Sequence, residues 1–104
     1  MNPDAAERED VWCVVPAYNN AGTVRDVVMR CRERLSRVLV VDDGSEDADL
    51  RDLLRDLDVT VVRHPKNRGK GAALRTALDR VAAAGAEFMI ALDADGQHLS
   101  LIHI

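Results

Sequence analysis

Apolar positions along the chain follow two rhythms in strict alternation. Val11-Trp12-Cys13-Val14-Val15 is an unbroken apolar run halted by Pro16, and similar runs recur at Val38–Val41, at Val59–Val62 and inside Glu87–Asp93. Short apolar runs bounded by turn residues read as strands buried on both faces of a parallel sheet. Between them the spacing becomes i, i+3, i+4, i+7, the stripe of an amphipathic helix. Val24, Val27, Val28, Cys31 and Leu35 form the first stripe; Leu50, Leu53, Leu54 and Leu57 the second; Leu74, Ala77, Leu78 and Val81 the third. Ser45 is the expected N-cap of the second helix, with Glu46, Asp47 and Asp49 at its positive end. The third helix stops before Gly85, a natural C′ residue. Residues 1–10 are a polar lead-in.

Strand, helix, strand, repeated to a fourth strand, predicts an α/β fold: a doubly wound, mostly parallel sheet with right-handed crossovers. The expected strand order is 3-2-1-4. Ligands of such sheets bind beyond the carboxyl ends of the strands, where the order reverses. That point lies between the first and fourth strands. It would bring Pro16–Asn20 beside Asp93–Gln97, with Asp42 and Asp43 one strand away.

Composition narrows this picture. At 104 residues with 47% hydrophobic content the chain is one domain with a small core, and Trp12, Tyr18 and Phe88 are its only aromatics. A net charge of −4 argues against a nucleic-acid partner. No acid falls between Asp58 and Asp79, yet Arg63, Lys66, Arg68, Lys70 and Arg75 do. One basic loop on an acidic protein points to a single anionic ligand. Cys13 and Cys31 form no CxxC and sit on apolar faces, which reads as free buried thiols in a reducing compartment. The charged N-terminus is unlike a signal peptide, and no apolar run approaches the ~20 residues of a membrane span, so the expected location is cytoplasmic.

The richest chemistry lies in Glu87–His98, EFMIALDADGQH, where a buried strand runs into two carboxylates two residues apart, an amide and an imidazole. Mg²⁺ and Mn²⁺ take oxygen ligands, commonly one or two protein carboxylates beside substrate phosphates. Asp93, Asp95 and Gln97 are therefore candidate ligands, with His98 as a further possibility. Asp42-Asp43-Gly44-Ser45 and Asp93-Ala94-Asp95-Gly96 also have the composition of plain turns, and the basic loop that of a solvated charge run. Gly69-Lys70-Gly71 lacks the spacing and the Ser/Thr of a P-loop, and Leu74 replaces the third glycine of a dinucleotide fingerprint.

Taken together, VVPAYNN, VVDDGSEDAD, HPKNRGKGAAL and ALDADGQH resemble, in order and spacing over residues 11–98, the nucleotide-sugar-binding half of glycosyltransferase family 2. The DADGQH form is most similar to enzymes that load a sugar onto polyprenyl or dolichyl phosphate. The resemblance implies a GT-A fold, Rossmann-like and here incomplete. It implies an inverting enzyme that uses a UDP- or GDP-sugar and Mg²⁺ or Mn²⁺. Pro16, Ala17, Tyr18 and Asn19 would line the nucleotide pocket, with Arg68 and Lys70 on the anionic donor. Asp43 or Asp42 would accept from the base. Asp93 would face the ribose or the metal, and Asp95 and Gln97 would hold the cation. Asn20 departs from the Glu usual at that position.

Family members continue well past this motif, whereas here Leu99–Ile104 follows and reads as a non-native tail. The expectation is of a truncated domain whose acceptor site and catalytic base lie beyond it. Its fourth strand would be left as a bare apolar edge, and the fragment would be unstable and inactive alone. The acceptor implied by the resemblance is a polyprenyl phosphate at the inner membrane face, to which the parent would be peripheral. Two other readings stand beside this one. A nucleotidyltransferase would carry a glycine-rich loop where Ala17–Gly22 has one glycine. A non-catalytic nucleotide-binding α/β module, receiver-like, would place its acids after other strands.

Overall fold

The structure, a computed structural model, describes residues 10–104, so all of the polar lead-in but Asp10 lies outside it. Five strands, β1 (Val11–Ala17), β2 (Val38–Asp42), β3 (Thr60–Arg63), β4 (Phe88–Leu92) and β5 (Leu99–His103), form one sheet in the order β3-β2-β1-β4-β5. The first four are parallel and lie in the expected order. Three helices connect them: α1 (Val24–Arg32), α2 (Leu50–Leu53) and α3 (Lys70–Ala83).

Alternation along β1 divides the core. Val11, Cys13, Val15 and Ala17 face the layer built by α1 and by Leu50 and Leu54, while Val14 joins Leu39, Val41 and Met89 against Ala73, Ala77 and Val81 of α3. Both faces are covered, which is why these strands read as unbroken apolar runs.

Pro16 does not end β1. Backbone groups of odd-numbered β1 residues face β2: the Cys13 amide donates to Arg37 O at 2.9 Å, and the Asp43 amide to Ala17 O at 2.8 Å. Even-numbered positions face β4, whose pairing with β1 stops at Val14↔Ala91. The N–H that proline lacks would therefore have pointed past the last rung. Pro16 marks the place where β1 and β4 part.

Two elements differ from the sequence expectation. The second helix is a single turn, and its cap is Asp49, whose carboxylate accepts from the Arg51 and Asp52 amides at 3.0 and 3.4 Å. Ser45 is engaged elsewhere: its hydroxyl accepts from the Asn19 amide at 3.1 Å, and its own amide donates to Asp42 Oδ1 at 2.8 Å. The expected bare edge at β4 is also corrected. A turn at Asp93–Gly96, with Gly96 at φ 77° and donating to Asp93 O at 2.7 Å, returns the chain so that β5 pairs antiparallel with β4 from Leu92↔Leu99 to Phe88↔His103. Among the described residues no helix is long and apolar enough to cross a membrane.

Candidate functional site

Where β1 and β4 part, a cavity of about 290 Å³ opens at the carboxyl ends of the strands. Pro16, Ala17 and Tyr18 line it from β1 and the following loop; Asp93 and Asp95 line it from the β4–β5 turn. Asp43, Asn67 and Lys70 close the third side. It lies at the reversal point of the strand order, as doubly wound sheets dictate.

The wall carrying Asp43 is organised from within. Asp43 is buried, and its Oδ1 accepts from His64 Nδ1 at 2.7 Å and the Arg68 amide at 2.9 Å. Its Oδ2 accepts from Asn67 Nδ2 at 3.1 Å and the Gly69 amide at 2.8 Å. Burial by itself raises this carboxyl's pKa, but the bonds from His64, Arg68 and Gly69 outweigh it and hold Asp43 below the ordinary carboxylate value. The far side of the His64 ring, Nε2, meets Thr76 Oγ1 of α3 at 2.8 Å. One carboxylate thus shapes the whole basic loop and delivers Lys70, the first residue of α3, to the cavity. The close approach needs a glycine. A Cβ on Gly44, at φ 80°, would stand 2.5 Å from Lys66 C and Asn67 N.

Asp42 turns away. It is buried beneath Arg63, whose NH1 donates to Oδ2 at 2.8 Å, and it does not line the cavity. Of the pair, Asp43 faces the cavity with four of the chain's own donors on its carboxylate, while Asp42 is paired with Arg63 outside it. Asn19 stands at φ 53° behind the wall, its side-chain oxygen accepting from the Glu46 amide at 2.9 Å. Asn20 lines the cavity and accepts from the Tyr18 amide at 2.9 Å.

On the opposite wall, Thr23 Oγ1 donates to Ala94 O at 2.8 Å and ties the start of α1 to the β4–β5 turn. Lys70 Nζ lies 2.6 Å from Asp93 Oδ1 across the mouth. Asp95 Oδ1 accepts from the Gln97 amide at 2.9 Å, so Gln97 contributes its backbone while its side chain stays exposed outside the cavity. Arg68 likewise contributes only its amide and does not line the cavity. Among the described residues no three His, Cys, Asp or Glu side chains gather around one point. Two carboxylates on one turn, with room beside them, fit an ion that completes its shell with water and phosphate oxygens. His64, like Asn67 and Thr23, is an organising residue the sequence left unmarked. Its only signal was its place in HPKNRGKGAAL, directly after β3.

The family model for glycosyl transferase family 2 matches residues 12–100. Among characterised proteins, the UDP-N-acetylglucosamine–dolichyl-phosphate N-acetylglucosaminyltransferase of Methanococcus voltae is 27% identical over 85% of this chain and 42% of its own length. The pre-mycofactocin glycosyltransferase of Mycobacterium tuberculosis is 37% identical over 89% of this chain and 19% of its own. Glycosyltransferase AglJ of Haloferax volcanii is 38% identical over 86% and 29%. The chain thus spans less than half the length of each. A mycobacterial protein of known crystal structure superimposes with a TM-score of 0.65 at 23% identity, over 91% of this chain and 36% of that one, and shares the fold.

Proposed function

The chain belongs to glycosyltransferase family 2, and from that premise we propose that its crevice binds the donor of a glycosyl transfer, a UDP- or GDP-linked sugar. The observation that carries this reading is the meeting of Pro16–Tyr18, Lys70, Asp93 and Asp95 around one cavity where the strand order reverses. The nucleoside rests against Pro16, Ala17 and Tyr18, with the ribose toward Asp93. Asp93 and Asp95 would hold Mg²⁺ or Mn²⁺, which would supply Lewis-acid neutralisation of a diphosphate leaving group. Lys70 brings a second positive charge to the same oxygens. The Asp43–His64 pair keeps the loop that carries Lys70 in place before the donor arrives, so little ordering remains to be done on binding.

The acceptor in this reading is a polyprenyl phosphate at the cytoplasmic membrane face, and transfer inverts the anomeric carbon. The acceptor class of the Methanococcus voltae relative supports it. So does the chemistry, because a phosphate monoester has a second pKa of about 6 and is ionised near neutrality without help from a base.

Calorimetric titration of the chain with UDP and with GDP, with and without Mn²⁺, tests the donor half of the proposal. Metal-dependent binding of one nucleotide, lost in Asp95→Ala, is the expected result. A folded chain that binds neither nucleotide in the presence of Mn²⁺ would overturn it.

A further inference from the structure

Cys13 of β1 and Cys31 of α1 are 18 residues apart in the chain, both free and both buried, yet their Sγ atoms lie 2.9 Å from one another. A disulfide needs its sulfurs about 2.05 Å apart, so a shift of under ~1 Å separates this pair from a covalent bond. The pair is also reachable. A cavity of about 330 Å³, separate from the donor crevice, is lined by both cysteines together with Arg30, Arg34, Leu92 and Leu99. Thiols kept only as packing atoms need neither such proximity nor an opening onto it.

We infer that Cys13 and Cys31 form a redox-active dithiol, which hydrogen peroxide closes into an intramolecular disulfide joining β1 to α1. The inference is independent of the donor-site reading. Cys31, the less deeply buried of the two and next in the chain to Arg30, is the attacking sulfur. The hydrogen bond from Cys13 holds its pKa below the ordinary thiol value, against burial and with help from the charge of Arg30. The same hydrogen bond, together with burial, raises that of Cys13. In the first step the Cys31 thiolate attacks one peroxide oxygen and the O–O bond breaks. Cys31 becomes a sulfenic acid, and the departing hydroxide takes up a proton to leave as water. Cys13 then attacks the Cys31 sulfur, the S–O bond breaks, and the hydroxyl leaves as water with the Cys13 proton. Two thiols are oxidised and one peroxide is reduced to two waters. A thiol reductant reverses the closure.

β1 runs on into Pro16 and Ala17 of the crevice, and α1 starts beside Thr23, which holds the opposite wall.

The test is to treat the reduced, desalted chain with hydrogen peroxide under native conditions. Thiols are then counted after denaturation, intact mass is measured, and cysteine peptides are mapped. The expected product is a monomer that has lost both thiols and two hydrogen atoms, carries a Cys13–Cys31 linked peptide, melts at a higher temperature and regains both thiols with dithiothreitol. Cys13→Ser should arrest Cys31 as a sulfenic acid that dimedone traps, whereas Cys31→Ser should leave Cys13 reduced. The inference is overturned if both thiols survive peroxide, if the cross-link forms only between chains, or if each sulfur is over-oxidised separately.

Discussion

Asp43 is the residue on which most of the candidate site turns. It satisfies four donors from a loop with no regular structure of its own. Asp43→Asn replaces one acceptor oxygen by a donor, facing the Asn67 amide and a backbone N–H. The expected cost is about 1–3 kcal/mol, read by urea denaturation at neutral pH. The pH dependence has a definite sign. The folded pKa of Asp43 lies below the ordinary carboxylate value, so its stabilisation is complete above about pH 4 and is lost as pH falls through the folded value. Asp56, held down to about 2 by the hydrogen bonds from Arg25, acts in the same direction but is fully exposed. Melting curves between about pH 6 and 2 should therefore fall more steeply for the native chain than for Asp43→Asn. Lys70 gives a prediction with two opposite signs. Its ammonium neutralises Asp93 where the proposed ion would bind, in a partly exposed pair of the kind worth about 0.2–1 kcal/mol. Lys70→Met should tighten Mn²⁺ alone by up to about fivefold and weaken UDP or GDP, both read calorimetrically. Equal losses for metal and nucleotide would contradict the placement of Lys70. His64 could not have been picked out from sequence. A histidine before a proline in a basic loop carries no mark of burial, and its partner lies 21 residues away.

At the scale of elements, strands proved more legible than the second helix. β1 and β2 are covered on both faces, so their apolar runs had one reading. The stripe Leu50, Leu53, Leu54, Leu57 was correct about burial and wrong about hydrogen bonding. Leu54 is buried and Leu57 packs on the same core, yet the helix ends at Leu53. Periodicity records which side chains face inward, and a series of turns can satisfy it as well as a helix. The segment Asp42–Ser45 was read as a site motif leading into a helix capped by Ser45, whereas the cap is Asp49, and nothing in the segment announced that the basic loop rests on Gly44. Gly44→Ala must move the backbone at Lys66 and Asn67, because no flexible side-chain tip stands in the way. A loss of about 2 kcal/mol or more is expected. Faster amide exchange confined to residues 64–69 would locate the damage, and unchanged exchange there would argue against this packing.

For the molecule as a whole, the sequence carried the order of four strands but not the fifth. Leu99–Ile104 was set aside as a non-native tail, and it is the return turn at Gly96 that aligns Leu99–His103 with β4. Its addition moves the apolar edge outward, since Leu99 and Leu101 are each 66% exposed. Exposed apolar edge strands invite pairing with another chain. Leu101→Lys should reduce concentration-dependent association measured by light scattering, with little change in melting temperature. Deleting residues 99–104 should lower the melting temperature and increase aggregation, because the backbone of β4 then loses its outer partner.

The parting of β1 from β4 also bears on how the chain folds. Pairing of β1 with β2 closes one helical crossover, and β4 with β5 closes a hairpin, but β1 finds β4 only after nearly the whole chain has been threaded between them. Loop-closure entropy makes that junction the costliest to assemble, and long-range pairing sets the pace of folding in small domains. The crevice lies at the end of this long-range seam. A molecule that bridges its two sides would act as a clasp on this seam, slowing unfolding while leaving the local steps of folding untouched.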